Sequence, residues 1–97
     1  MSGGPIPLLA GRQETVSIDG MCVRVELPGE RRFYVPVGGV DLENPLYGIM
    51  VGAYSTVDDN QIFQYPEILF RGTSVLVYLV PEPPWWKNRE KLAKKAT

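Results

Sequence analysis

The side chains able to do chemistry in this 97-residue chain are few, and the missing ones are as informative as those present. There is no histidine, which removes the commonest general base, the Ser-His and Cys-His nucleophile pairs and every imidazole metal site. The single cysteine, Cys22, excludes an intrachain disulfide and a cysteine zinc site, and fits a reducing compartment. Arg24 shares its expected strand face and could lower its pKa, but a reactive thiol needs an electropositive pocket. Core filler is the simpler reading of a lone Cys among apolar neighbours. Two acidic groups, Asp41 with Glu43 and Asp58-Asp59 with Asn60, could offer oxygen ligands to a hard cation. Neither has the spacing of a calcium loop, and both read as turns made by side-chain to backbone hydrogen bonds. No phosphate-binding glycine motif occurs. The expectation is no catalytic residue, no metal and no cofactor: not an enzyme.

The strongest positive signal is a segregation of charge. The net charge is −1, yet residues 85–97 hold five cations and one acid, while residues 1–84 hold five arginines and ten acids. All four lysines lie in that last segment. Body and tail therefore carry opposite signs, which points to different roles.

The elements that must position these groups follow from pattern. Nine Pro, ten Gly and 44% hydrophobic residues suit short strands joined by tight turns. Residues 14–18 alternate, Asp19-Gly20 is a hairpin signal, and Met21 to Leu27 alternates again, with Met21, Val23, Val25 and Leu27 inward and Cys22, Arg24 and Glu26 outward. Pro28-Gly29 fits a type II turn. Arg31 to Val37 returns with Phe33, Val35 and Val37 inward, and Pro36 places it at an edge or ends it. A three-strand meander over 14–37 results. Residues 38–45 read as a loop. Leu46 to Tyr54 is apolar on both faces and carries Gly48 and Gly52, which suggest a bulge, a bend or close approach of another backbone. Asp58-Asp59-Asn60 is a turn, Gln61 to Tyr65 a short strand that Pro66 interrupts, and Ile68 to Phe70 its continuation. Thr73 to Val80 reads as a buried central strand.

The termini differ from the body. Residues 1–12 form an extended Gly/Pro arm with Ile6, Leu8 and Leu9 available for docking, or else a frayed end. Pro81 to Pro84 predicts a stiff polyproline-like spacer. From Trp85 onward the wheel fits a helix with Trp85, Leu92 and Ala96 aligned and Lys87, Lys91, Lys94 and Lys95 opposite. The pairs Lys87–Lys91 and Lys91–Lys95 work against it, and about a dozen residues form a marginal helix alone.

The expected fold is all-β: a small single-domain sheet or barrel of five to six short antiparallel strands, SH3-like or OB-like, over residues 13–80. The extended arm precedes it, and a Pro-rich linker with a short amphipathic helix fills 81–97. No apolar run approaches the roughly 20 residues of a membrane span, and no secretory signal opens the chain. The expected location is therefore soluble, intracellular or within a virus particle. The Trp pair could cap its own domain, anchor a partner protein, or stack bases beside lysines that neutralise phosphates, with a membrane-surface helix a weaker option. The acidic body opposes broad nucleic-acid wrapping. The leading expectation is a structural or assembly protein, in a setting such as a phage or virus particle, that joins copies of itself or partner proteins through Ile6, Leu8, Leu9, Trp85, Trp86, Lys87, Arg89, Lys91, Lys94 and Lys95. A small nucleic-acid-binding barrel using the Trp/Lys tail is the alternative.

Overall fold

A computed structural model describes residues 6–7, 19–44, 46–58 and 60–95. Its strands are β1 (Ile6–Pro7), β2 (Met21–Leu27), β3 (Arg31–Val35), β4 (Val40–Asn44), β5 (Tyr47–Asp58), β6 (Gln61–Arg71), β7 (Leu76–Pro81) and β8 (Lys94–Lys95). A 3-10 turn over Trp86–Asn88 and a one-turn helix α1 (Arg89–Leu92) lie between β7 and β8. The strands form one sheet in the order β1-β7-β2-β3-β5-β6-β8, with β4 as an additional partner of β5. Every pairing is antiparallel except β6 with β8. The β-rich class is as expected; the small barrel is not, because the sheet is open. Nor is the count of five to six strands, since two-residue β1 and β8 carry no periodicity for a sequence to display.

The turn chemistry acts where the residue types place it. Asp19-Gly20 is a turn and Gly20 has φ 81°. The strand expected over 14–18 lies outside the described residues, and β2 is flanked by β3 and β7. Gly29 has φ 83°, the sign that the third position of a type II turn requires. Glu30 follows at φ 59°, a left-handed conformation that costs a residue with a Cβ about 1–2 kcal/mol. Glu30→Gly should therefore raise the unfolding free energy read from a urea titration by up to about 1 kcal/mol, once the extra entropy of Gly is subtracted. Glu30→Ala should give no such gain.

Residues 38–45 were expected as a loop, but Val40–Asn44 pairs with the first half of β5. Gly48 permits it: a Cβ there would lie 2.5 Å from the Asp41 carbonyl oxygen and 2.8 Å from Leu42 Cδ2. Gly52 has φ 72° and marks the bend of β5. Before it β5 pairs β4, and after it Tyr54 pairs Tyr34 of β3. Pro66 stands opposite Gly52, between the pairs Val51↔Glu67 and Ala53↔Tyr65. Pro66 does not split the strand as expected, because its missing N–H falls where β5 is already kinked. Both strands change parity here: Met50 and Ala53 face one core cluster, as do Tyr65 and Ile68.

That first cluster holds Val23, Val25, Leu27, Val35, Met50, Ala53, Phe70, Val75, Val77 and Leu79, all buried. A second cluster, on the opposite face, holds Cys22, Tyr54, Ile62, Val80, Trp85 and Trp86. Its existence corrects the outward placement of Cys22, which is fully buried. The strand expected over Thr73 to Val80 is β7, Leu76–Pro81: Val77, Leu79 and Val80 are buried, Leu76 is 55% exposed, and the strand lies beside the terminal strand β1 instead of centrally.

Candidate interaction surface

The face opposite the first core cluster, called the outer face below, has two halves separated by the Gly52–Pro66 bend. One half is closed by the chain's own C-terminal segment. Cross-strand register places Tyr78, Arg24, Tyr34, Tyr54, Gln64 and Lys95 in a single row across β7, β2, β3, β5, β6 and β8. Trp85 meets Tyr34 edge to face with ring centroids 5.4 Å apart, and Trp86 meets Tyr54 at 5.9 Å. Such pairs add about 0.5–1.5 kcal/mol beyond burial. The Arg89 guanidinium lies 3.9 Å from the Trp86 ring centroid, and its Nη1 donates to the Trp86 carbonyl at 2.8 Å. Trp85 and Trp86 are each only 5% exposed.

The linker and helix expected here are corrected by that burial. The Glu82 N–H donates to the Gly20 carbonyl at 2.9 Å, and the Trp86 N–H to the Pro83 carbonyl at 3.0 Å. The proline run thus turns back onto the sheet instead of holding the Trp pair away from it. Helical backbone persists only to Leu92, and Ala93 is extended at ψ 140°. Lys94 and Lys95 then pair with Phe63 and Gln64. Packing two indoles on the sheet outweighs a short helix that already carries two repulsive lysine pairs.

The residues expected to bind partners are therefore divided. Trp85 and Trp86 are core, and Arg89 is half-buried across Trp86. Lys87, Lys91, Lys94 and Lys95 are exposed, with Leu92 among them at 53%. Ile6 sits in β1, in register with Leu79 of its own chain. Leu8 and Leu9 lie outside the described residues.

Under the lid, burial pushes the Cys22 thiol up from 9.0 to about 12; Glu82 adds to the rise while Arg89 and Arg24 oppose it. A neutral thiol in a closed core is a poor nucleophile. Native protein at pH 8 should resist iodoacetamide and become labelled only in denaturant, as thiol titration would show. For an acid whose folded pKa is raised, the folded state binds the extra proton. Its contribution to stability is thus complete below pH 9 and falls between pH 9 and about 12; Cys22→Ala should flatten that part of a stability–pH curve.

Beyond the bend the outer face carries none of the described residues of the second cluster, and Ile49 there is half-buried. Ile49 stands opposite Leu69 and Val51 opposite Glu67 on β5 and β6, and Asp41 of β4 is in register with Ile49. Val51 is 52% and Leu69 58% exposed. Tyr47 and Arg71 close one end, the guanidinium 5.4 Å from the ring centroid. The result is an apolar strip with the exposed acids Asp41 and Glu67 at its rim. Sequence reading missed it because Leu46 to Tyr54 is apolar on both faces, and which face stays open depends on how far the lid reaches.

Elsewhere, the groove beside the β2–β3 turn is lined by Glu26, Arg31, Arg32, Ser74 and Leu76. Glu26 engages two cations there, Arg24 at 2.9 Å and Arg32 at 3.6 Å. Among the described residues no group of three or more His, Cys, Asp or Glu gathers to hold a metal ion. The Asp58 carboxylate accepts from the Asn60 N–H at 2.7 Å, a turn-forming bond. No helix among the described residues is long and apolar enough to cross a membrane. Comparison with protein-family models, curated proteins and solved structures finds no match to this chain.

Proposed function

We propose that this chain is a non-enzymatic structural or assembly protein that associates with copies of itself, a particle component such as that of a phage or virus being a suitable setting. The observation carrying this reading is the divided outer face. The chain covers one half with its own Trp lid and leaves an acid-rimmed apolar strip on the other, while presenting four exposed lysines on the lid segment. Clustered exposed apolar residues with a polar rim are characteristic of protein contact surfaces. A buried, neutral Cys22 and the lack of histidine support the non-enzymatic part.

Light scattering of the full chain across concentration tests the reading. The expected result is a mass that rises above the monomer at tens of micromolar and falls back as salt is raised from about 20 mM to 0.5 M, because exposed charge pairs are screened over a Debye length of roughly 10 Å at 0.1 M. A monomer under all these conditions overturns it. The second reading, nucleic-acid binding, draws on the four exposed lysines. It retains their phosphate attraction, but the buried Trp pair offers no free faces for stacking bases. Salt-sensitive binding of single-stranded DNA by a monomeric chain would favour it.

A further inference from the structure

We infer that the apolar strip of one copy receives the Leu92 protrusion of a second copy, making a head-to-tail contact. This rests on the assembly reading and names its two surfaces. Three observations support the match. First, the strip offers Ile49, Val51 and Leu69 with Asp41 and Glu67 at its edge, whereas the protrusion offers exposed Leu92 between Lys91 and Lys94. An apolar patch flanked by Asp41 and Glu67, with Arg71 at one end, faces an exposed Leu92 flanked by Lys91 and Lys94, with Glu90 in the same helical turn. Second, the charge bias extends through the chain: the tail carries nearly all its cationic excess and the body all its net negative charge. Opposite fields of this kind steer and register an encounter.

Third, the same protrusion cannot fill the strip of its own chain without breaking the fold. Lys94 and Lys95 are held at Phe63 and Gln64 by β8, on the lid side of the bend, and Trp85 and Trp86 are buried under the same segment. The strip runs from Val51 and Glu67 toward Tyr47 and Arg71, on the far side of Gly52 and Pro66. A donor surface and an acceptor surface on different parts of one molecule make a heterologous contact. Repetition of such a contact closes into a ring or continues as a filament.

The test is complementation between two full-length variants. Leu92→Asp removes the donor, and the double variant Val51→Lys, Leu69→Lys removes the acceptor. All three side chains are more than half exposed, so folding should persist, with Trp fluorescence as the check. Each variant alone should be monomeric at concentrations where the wild type assembles, with at least a tenfold weaker association. Mixed in equal amounts, they should form a dimer and stop there, since only one productive contact remains. Charge exchange gives an independent readout: Glu67→Lys should weaken assembly, and combining it with Lys91→Glu and Lys94→Glu in the same chain should restore it.

Mixed variants that stay monomeric overturn the inference, as do wild-type-like assemblies of Leu92→Asp, which would leave assembly standing on another surface. A monomeric wild type overturns both this contact and the assembly reading. Loss of oligonucleotide binding on Lys91→Glu, Lys94→Glu in such a monomer assigns the lysines to phosphate instead.

Discussion

Replacing Trp86 by Ala should destabilise the protein by about 3–5 kcal/mol, the range for deleting a large buried aromatic side chain. Domains of this size have total stabilities of roughly 5–15 kcal/mol, so the variant should approach the limit of folding at room temperature. The effect is large because Trp86 joins several parts of the lid. Its indole packs on Tyr54 and on Trp85 and carries the Arg89 guanidinium over its ring. Removing the indole leaves Arg89 only the more distant Tyr54 ring, 5.6 Å away, and opens the outer face above Cys22 and Ile62, members of the same cluster. Two readouts should move together: the urea midpoint falls, and the Cys22 thiol becomes reactive to iodoacetamide in the fraction of molecules whose lid is open. Intact stability with an alkylation-resistant thiol would mean that the lid contributes little. Trp86→Phe, which keeps a ring over the same site, should recover part of the loss.

Gly48→Ala should cost about 1–3 kcal/mol or somewhat more, the range for forcing extra atoms into a packed site. The new methyl would stand 2.5 Å from a backbone oxygen of β4 and 2.6 Å from Phe70 Cζ, which is itself buried. A flexible side chain could retreat, but the Asp41 carbonyl moves only if β4 moves. The expected signature is therefore local as well as global: the Val40–Asn44 amides should lose protection from hydrogen exchange before the rest of the sheet does. Gly52→Ala makes a useful contrast. Its Cβ would meet Pro36 at an ordinary 3.6 Å, so the cost there is the φ of 72° alone, about 1–2 kcal/mol, with β4 undisturbed. If the two variants lose the same stability and leave the same exchange pattern, the close approach of β4 to Gly48 is not what that glycine provides.

Both effects bear on assembly. Gly48 keeps β4, and with it Asp41, against the apolar strip. The Trp lid covers the outer face over Cys22, Tyr54 and Ile62, while Leu76 at the start of β7 stays 55% exposed. Weakening either should alter association even where the contacting side chains are unchanged, so the surface variants Leu92→Asp and Val51→Lys, Leu69→Lys remain the cleaner probes.

The local half of this structure was written in residue types and their spacing. Alternation of apolar and polar residues set β2 from Met21 to Leu27, and Pro28-Gly29 set the turn into β3. Pro36 follows directly after the end of β3, and Gly48 and Gly52 marked in advance a close approach and a bend. These features depend on a few neighbouring residues, through φ preference and a side-chain period of two. What alternation does not contain is the number of faces that will be covered. Cys22 alternates as an outward residue and is buried because Trp85 and Trp86, more than sixty positions away, close over it. The C-terminal segment reads locally as a marginal helix and becomes one helical turn and a two-residue strand, because burying two indoles on Tyr34 and Tyr54 is worth more than a few further helical hydrogen bonds. The candidate site followed the same division. Its lysines and charge bias were legible in the chain, whereas the acceptor strip exists only because the lid stops at the bend, a boundary that nonlocal packing alone decides.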